Sequence, residues 1–301
     1  MSLIEAKGMD IKMNIGKQIH TLIPEHEFLI CVDSDGSVMD TMNSKHMKCF
    51  GPCLEDFWAL GDKRCVVLKR WNELNLFSAT RGINRYRSLY ILLNELNRNT
   101  HLVEGLDVFA EWVTNSRELS NEALKAEIDR RKREKDSNLV CMEKALEWSF
   151  EVNKKVEMLG VEDKKAFPGS QKGIEIAAQK ADIAVVSSAN PEALALEWKE
   201  QGFLPFIHVM MSQREGDKTD CIKILLNKGY RKEKVLMIGD APGDFQAASE
   251  NHVWFYPILA GKEEDSWNRF SDEILPVFIG GAFDEKLQKK LLENFKNNLN
   301  M

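Results

Sequence analysis

FLICVDSDGSVMD, residues 28–40, joins a short apolar run to two acids and a glycine. Phe28–Val32 has no polar alternation, as a strand buried on both faces of a parallel sheet requires. Asp33 ends that run, Asp35 follows two residues later, and Gly36 offers a turn. Two carboxylates at the carboxyl end of a buried strand are costly unless charge is needed there. In open α/β sheets that edge is where ligands bind. The plain alternative is an Asx-type turn, since Asp, Ser and Gly are common turn formers.

Further apolar runs follow: IAVV (183–186), FIHVMM (206–211), VLMI (235–238) and VWFY (253–256). Between them, Pro191–Gln201, Lys218–Lys228 and Pro242–Glu250 read as helices. This alternation from about residue 167 onward predicts a doubly wound α/β parallel sheet. Residues 46–165 differ in having helical periodicity and almost no β-branched runs. Leu89, Leu92, Leu93 and Leu96 share one helical face, as do Leu106, Phe109, Ala110 and Val113. Ser120 is placed to cap a long charged helix. The charges of residues 117–136 read as a solvated face, with a basic contact patch at Arg130–Lys135 the weaker alternative. The expected organisation is an α/β core from residues 1–45 and 166–301, with an all-helical insert at 46–165. Phe167-Pro168-Gly169 marks the return. An extra helix within the first 26 residues and a terminal helix at Asp284–Leu299 complete the expectation.

The 301 residues carry a formal net charge of −6, with 44% hydrophobic and 29% charged side chains. That mild acidic balance argues against nonspecific nucleic-acid binding, which basic faces drive. No apolar run approaches the roughly 20 residues that span a bilayer. The N-terminus lacks the pattern of a signal peptide. The six cysteines are scattered, with no CxxC, and nothing completes a zinc site around Cys49 and Cys53. Reduced cysteines in a cytoplasm are the expectation.

The second acidic signal is VLMIGDAPGDFQAA, residues 235–248. Asp240 ends an apolar run, and Asp244 falls near the start of a helix. A helix cap is the plain reading of Asp244, because acids are favoured there. Four carboxylates at one sheet edge would repel without a cation, and an oxygen-rich site suits Mg²⁺. IAVVSSAN (183–190) adds hydroxyls at Ser187 and Ser188, able to hydrogen-bond a phosphoryl oxygen or to cap the next helix. REGDKTD (214–220) places Lys218 where its ammonium can neutralise a nucleophile and a phosphate, though a lone lysine there is ordinarily a surface residue.

In this order, DxDGS, VVSS, GDK and GDAPGD resemble the haloacid dehalogenase-like hydrolase superfamily, over about 28–45 and 165–256. The helical insert resembles that family's cap between motifs one and two. The resemblance implies a Rossmann-like core and a Mg²⁺-dependent phosphatase acting on a small phosphorylated metabolite. Asp33 would be the nucleophile, forming an aspartyl-phosphate. Asp35 would be acid, then base, with its backbone carbonyl reaching Mg²⁺. Ser187, with Ser188 adjoining, and Lys218 would hold the phosphoryl group. Asp240 would ligate Mg²⁺, with Asp244 supporting it directly or through water. Ser37 stands where the family usually has Thr, and the hydroxyl is kept. Asp40 and His46 match the motif's usual continuation. Dehalogenases of the family lack an acid at the Asp35 position, so its presence favours phosphate esters. A phosphomutase of the β-phosphoglucomutase kind shares all these residues. A non-catalytic module binding phosphate or protein is the third reading.

Substrate choice is expected in the cap, which in the family closes over the site and excludes water. The loop FSATRGINRYR (77–87) carries Arg81, Asn84 and Arg85, able to clamp an anionic or polyhydroxyl substrate. A helix–helix connection with a capping Asn is the plain alternative. Trp71, Phe77 and Tyr86 read as core of the helical insert.

Overall fold

The computed structural model describes Ile19 and residues 22–100, 103–135 and 138–301. The helix expected within the first 26 residues lies mostly outside the described residues, and Leu22–His26 are not helical. Contacts divide the chain into two compact units, one running to Met42 and resuming at Val161–Met301, the other Asn43–Gly160. The expected seams lay a few residues later, at 45/46 and 165/166. On the return side the chain is tied early to the first unit. Asp40 N–H donates to Lys165 O (2.8 Å) and Phe167 N–H to Val38 O (2.8 Å).

The first unit holds a five-stranded parallel sheet: β1 (Leu29–Val32), β2 (Asp182–Val186), β3 (Val209–Met211), β4 (Val235–Gly239) and β5 (Trp254–Pro257). Their order is β3-β2-β1-β4-β5. Val32 is level with Val185 on one side and Ile238 on the other. The run at 206–211 is strand only over its last three residues, because Leu204–Phe206 coil into a short tight turn around Pro205. Alternation along each strand feeds two cores. Ile30, Val32, Ile183, Val185, Leu236 and Ile238 join one, with Ile174, Leu194, Trp198, Trp267 and Phe270 from helices. Leu29, Cys31, Ala184, Val186, Val235 and Met237 join the other, with Ile222, Leu225, Ala247 and Phe295. Both faces are thus covered, which is why the strands read as unbroken apolar runs. This is a Rossmann-like α/β fold. The terminal helix is Glu285–Asn298, capped by Asp284, whose side chain accepts from Leu287 N–H.

The second unit is helical around its own core, in which Trp71, Leu89, Phe109, Met142 and Trp148 are buried. Leu89, Leu92 and Leu93 all face that core, with Leu96 at its margin. Ser120 caps Asn121–Arg133 by accepting from Ala123 N–H at 3.1 Å. The charged stretch is a lattice of ion pairs: Arg130 meets Glu127 and Glu134, and Arg131 meets Glu127 and Glu111. No helix among the described residues is long and apolar enough to cross a membrane.

Candidate active site

Three parallel strands end side by side, and each hands over a polar group. Asp33 extends the β1 ladder by one bond, its N–H donating to Ile238 O at 2.9 Å. The chain then turns through Gly36, whose φ of 84° is costly for any residue with a Cβ. Ser187 follows β2 and Asp240 follows β4. The order changes direction at β1, so this edge is the switch point where α/β sheets bind ligands.

Asp33, Asp240 and Asp244 are buried, and one oxygen from each lies within 4.8 Å of the others. Lys218 Nζ bridges two of them, 2.7 Å from Asp33 Oδ1 and 2.5 Å from Asp244 Oδ1. Lys218 is the first residue of the helix Lys218–Leu226. A cation there opposes the helix dipole, so its place follows from the carboxylates and not from the helix. Asp244 also serves as a cap. Its Oδ2 accepts from Ala241 N–H (2.9 Å) and Asp240 N–H (3.1 Å). The cap reading of Asp244 thus holds through one oxygen, while the other meets Lys218.

Burial, with repulsion from Asp244 and Asp240, holds the Asp33 carboxyl well above its usual value despite Lys218. Burial and Asp240 raise Asp244 in the same way. Burial disfavours the Lys218 charge, but Asp244 and Asp33 outweigh it and hold the ammonium's pKa above normal. Three buried carboxylates thus share one site with the ammonium that bridges two of them. Three carboxylate oxygens within 4.8 Å of one another are an all-oxygen donor set that fits a divalent hard cation such as Mg²⁺.

Asp35 stands apart from this cluster. The buried Thr41 hydroxyl donates to Asp35 Oδ1. Ser37, fully buried, donates from Oγ to Asp240 Oδ1 at 2.6 Å and lies 3.4 Å from Asp33 Oδ2. Its hydroxyl thus spans both signals read from the sequence. Ser187 is buried with its Oγ accepting from Ala189 N–H at 3.2 Å, while Ser188 is exposed. Neither serine caps the next helix; Asn190 does, accepting from Glu192 N–H (3.0 Å) and Ala193 N–H (3.2 Å).

Arg81, Asn84 and Arg85 lie in the second unit. Arg81 is buried and donates to Leu76 O at 2.6 Å. Asn84 caps the following helix through Tyr86 N–H (2.9 Å) and donates to Leu119 O (2.9 Å). Arg85 donates to Ser149 Oγ and Asn153 Oδ1 and lies over the Phe50 ring. These bonds hold the loop within its own unit.

The residue most clearly missed in the sequence is Gly239. A Cβ built there would stand 2.3 Å from Asp244 Cβ and 2.5 Å from its Oδ2. Only a glycine lets Asp244 lie against β4. The signal was present as the Gly before Asp240, since glycine inside a strand marks close approach.

A second cluster, His26, Asp182 and His208, lies at the start of β2. Ile183 N–H donates to His208 Nδ1 at 3.0 Å, so the proton of a neutral ring sits on Nε2, facing Asp182 Oδ1 at 3.3 Å. His26 Nδ1 (2.9 Å) and Tyr230 OH (2.6 Å) also donate to Asp182. Burial pushes Asp182 up, but these bonds more than offset it and hold its carboxyl below the usual value. The donors converge on one carboxylate, and His208 has no lone pair left for a metal. This is a hydrogen-bonded anchor.

The sequence profile of the haloacid dehalogenase-like hydrolases matches residues 108–256. The match covers Ser187, Lys218, Asp240 and Asp244 and stops short of Asp33. No curated protein sequence matches the chain. Among solved structures, a protein from Bacteroides fragilis assigned to the haloacid dehalogenase-like hydrolases superposes with a TM-score of 0.50 at 13% identity, over 79% of this chain and 92% of its own. A haloacid dehalogenase-like family hydrolase from Streptococcus pneumoniae gives 0.49 at 12% identity, over 82% and 91%. A protein from Lactobacillus delbrueckii assigned as a phosphoglycolate phosphatase gives 0.45 at 15%, over 77% and 86%. At 13% identity the likeness to the Bacteroides fragilis protein speaks for the fold alone.

Proposed function

The chain belongs to the haloacid dehalogenase-like hydrolase superfamily, and on that footing we propose that it is a Mg²⁺-dependent phosphatase of small phosphorylated metabolites. The observation that carries the reading is the buried cluster of Asp33, Asp240 and Asp244, with Lys218 bridging two of them.

Asp33 is the nucleophile. It attacks phosphorus, and the P–O bond to the leaving alcohol breaks as an aspartyl-phosphate forms. Lys218 holds the attacking carboxylate in place and neutralises charge on the transferring group. Asp35 protonates the departing alcohol and then takes a proton from water, which attacks phosphorus and frees Asp33. Thr41 orients the Asp35 carboxyl for both steps. Ser187, with Ser188 at the rim, binds phosphoryl oxygens. Asp33, the Asp35 carbonyl and Asp240 would hold Mg²⁺, with Asp244 behind them, since its two oxygens already serve Lys218 and the backbone. The ion, when bound, would supply positive charge beside the carboxylates and polarise the phosphoryl oxygens. An acid at position 35 supports ester hydrolysis over dehalogenation, because a leaving alcohol needs a proton and a halide does not. The helical unit is assigned the part of a cap that selects substrate.

The test is inorganic phosphate release from a panel of phosphoglycolate, sugar phosphates, nucleotides and an aryl phosphate, with and without Mg²⁺, beside Asp33→Asn. Release that needs both Mg²⁺ and Asp33 is expected. No release from any ester would sink the reading. Labelled phosphate retained on Asp33 would then favour a phosphomutase, and its absence a binding module.

A further inference from the structure

We propose that Trp198 and Trp267 are positioning residues that grip the loop Asp33–Met39 from inside the core and thereby set the acid cluster for its cation; this rests on the Mg²⁺ reading above. Beyond Asp33 the loop leaves the sheet and is held by isolated bridges, Asp35 with Met39 and Met39 with Ala166. Its own bonds are few: Val38 N–H (3.0 Å) and Met39 N–H (2.9 Å) both donate to Ser34 O, and Gly36 N–H donates to Met39 O (2.9 Å).

Besides the backbone bond from Phe167 N–H to Val38 O (2.8 Å), two indole bonds reach the loop from far along the chain. Trp198 Nε1–H donates to Ser34 Oγ at 2.9 Å across a separation of 164 residues. Trp267 Nε1–H donates to Ser37 O at 2.8 Å across 230. Both indoles are fully buried, and so are both serines to within 1%. An indole N–H only donates, and in a dry core it has one place to go, so each bond fixes a direction as well as a distance.

The rings themselves are held. A Cβ at Gly173 would stand 2.8 Å from the Trp267 ring, so the helix Ser170–Ala177 is cut away there to receive it. Phe270 meets the Trp267 ring edge-on at 5.5 Å, and Phe203 packs on Trp198 at 5.2 Å. The line of force is short. Trp267 holds the Ser37 carbonyl, and Ser37 Oγ donates to Asp240 Oδ1 at 2.6 Å. Trp198 holds Ser34, the residue between Asp33 and Asp35. Replacing groups that orient metal ligands from behind typically costs about 10–100-fold in metal affinity.

The test compares Trp267→Phe and Trp198→Phe with Trp254→Phe. Trp254 also loses an indole bond to a carbonyl, Glu233 O at 3.0 Å, but at the start of β5, away from the loop. Mg²⁺ binding is measured by titration calorimetry, with thermal unfolding alongside, so no substrate is needed. Trp267→Phe and Trp198→Phe should weaken Mg²⁺ binding by about 10-fold or more, and Trp254→Phe should leave it unchanged. With a substrate in hand, kcat and the half-saturating Mg²⁺ concentration should move while KM holds. Ser34→Ala closes a double-mutant cycle with Trp198→Phe, and the pair should weaken binding no more than either alone. That cycle carries the test should Trp267→Phe not fold. Mg²⁺ affinity equal to the parent's in both tryptophan variants, even with lower melting temperatures, would leave the indoles purely structural and overturn the proposal. A parent that binds no Mg²⁺ would overturn the Mg²⁺ reading itself.

Discussion

Gly239→Ala adds one methyl group where three atoms of Asp244 stand 2.3–2.5 Å away. Gly239 has no positive φ, so the substitution meets a clash and not backbone strain. Relief can come in two ways. The strand end can shift, and overpacking of this kind costs about 1–3 kcal/mol. Alternatively Asp244 can swing out, leaving the amides of Asp240 and Ala241 without their acceptor, at about 1–3 kcal/mol each when buried. Either route also loosens Lys218 from Asp244. A loss near 3 kcal/mol is expected, and at about 2–4 °C per kcal/mol for a chain of this size the melting point should fall by roughly 6–12 °C. Gly243→Ala is the control, since a Cβ there meets nothing within 4 Å and lies in the helix Pro242–Asn251. Alanine should help that helix slightly. Thermal unfolding by circular dichroism, with Mg²⁺ calorimetry on the same samples, reads both effects. Gly239→Ala melting with the parent and binding Mg²⁺ equally well would refute the close packing of Asp244 on β4.

Lys218→Met leaves the buried Asp33 and Asp244 carboxylates without the ammonium that bridges them and should cost about 3 kcal/mol at neutral pH. Asp33 and Asp244 already sit above the usual range, so the penalty belongs to the ionised state. It should shrink as pH falls through their folded pKa values, and urea midpoints that separate further in acid would contradict this. Tyr230→Phe removes a 2.6 Å bond to the Asp182 carboxylate and should cost about 1.5–3 kcal/mol. The folded pKa of Asp182 is depressed, so its contribution is present above the unfolded value of about 3.9 and fades below it. The gap between parent and variant should therefore close in strong acid, and a gap constant to pH 3 would count against it. A thiol reagent should modify Cys65 alone in the folded protein and all six cysteines after unfolding. Cys141 and Cys221 are pushed up to about 12 by burial, so fast labelling of either would show an opening the packing does not allow.

What could be read from the sequence was whatever repeats locally. The apolar runs named all five strands because a parallel sheet covered on both faces needs no alternation. The acids at 33, 35 and 240 stood out because charge after a buried strand has a cost that only function or solvent offsets. Asp244 was legible as a cap, and it caps the helix with one oxygen while the other meets Lys218. Ser187 and Ser188 could not be told apart from a cap on spacing alone, because the true cap, Asn190, sits within three residues of each. The arginines of loop 77–87 looked available only because their partners, such as Leu76 O, Ser149 and Asn153, are chosen by how the helices pack.

By itself, then, the amino-acid sequence determined the α/β alternation, the helical insert and the acids, serines and lysine at the strand ends, since propensity and burial act over a few neighbouring residues. Tertiary structure alone decided that Lys218 bridges Asp33 and Asp244, that Ser37 reaches Asp240, and that Trp198 and Trp267 hold the loop between. These pairs are 26 to 230 residues apart, and no local period records which indole will find which carbonyl or hydroxyl. Their partners are set only when the two cores close and every buried donor must find an acceptor.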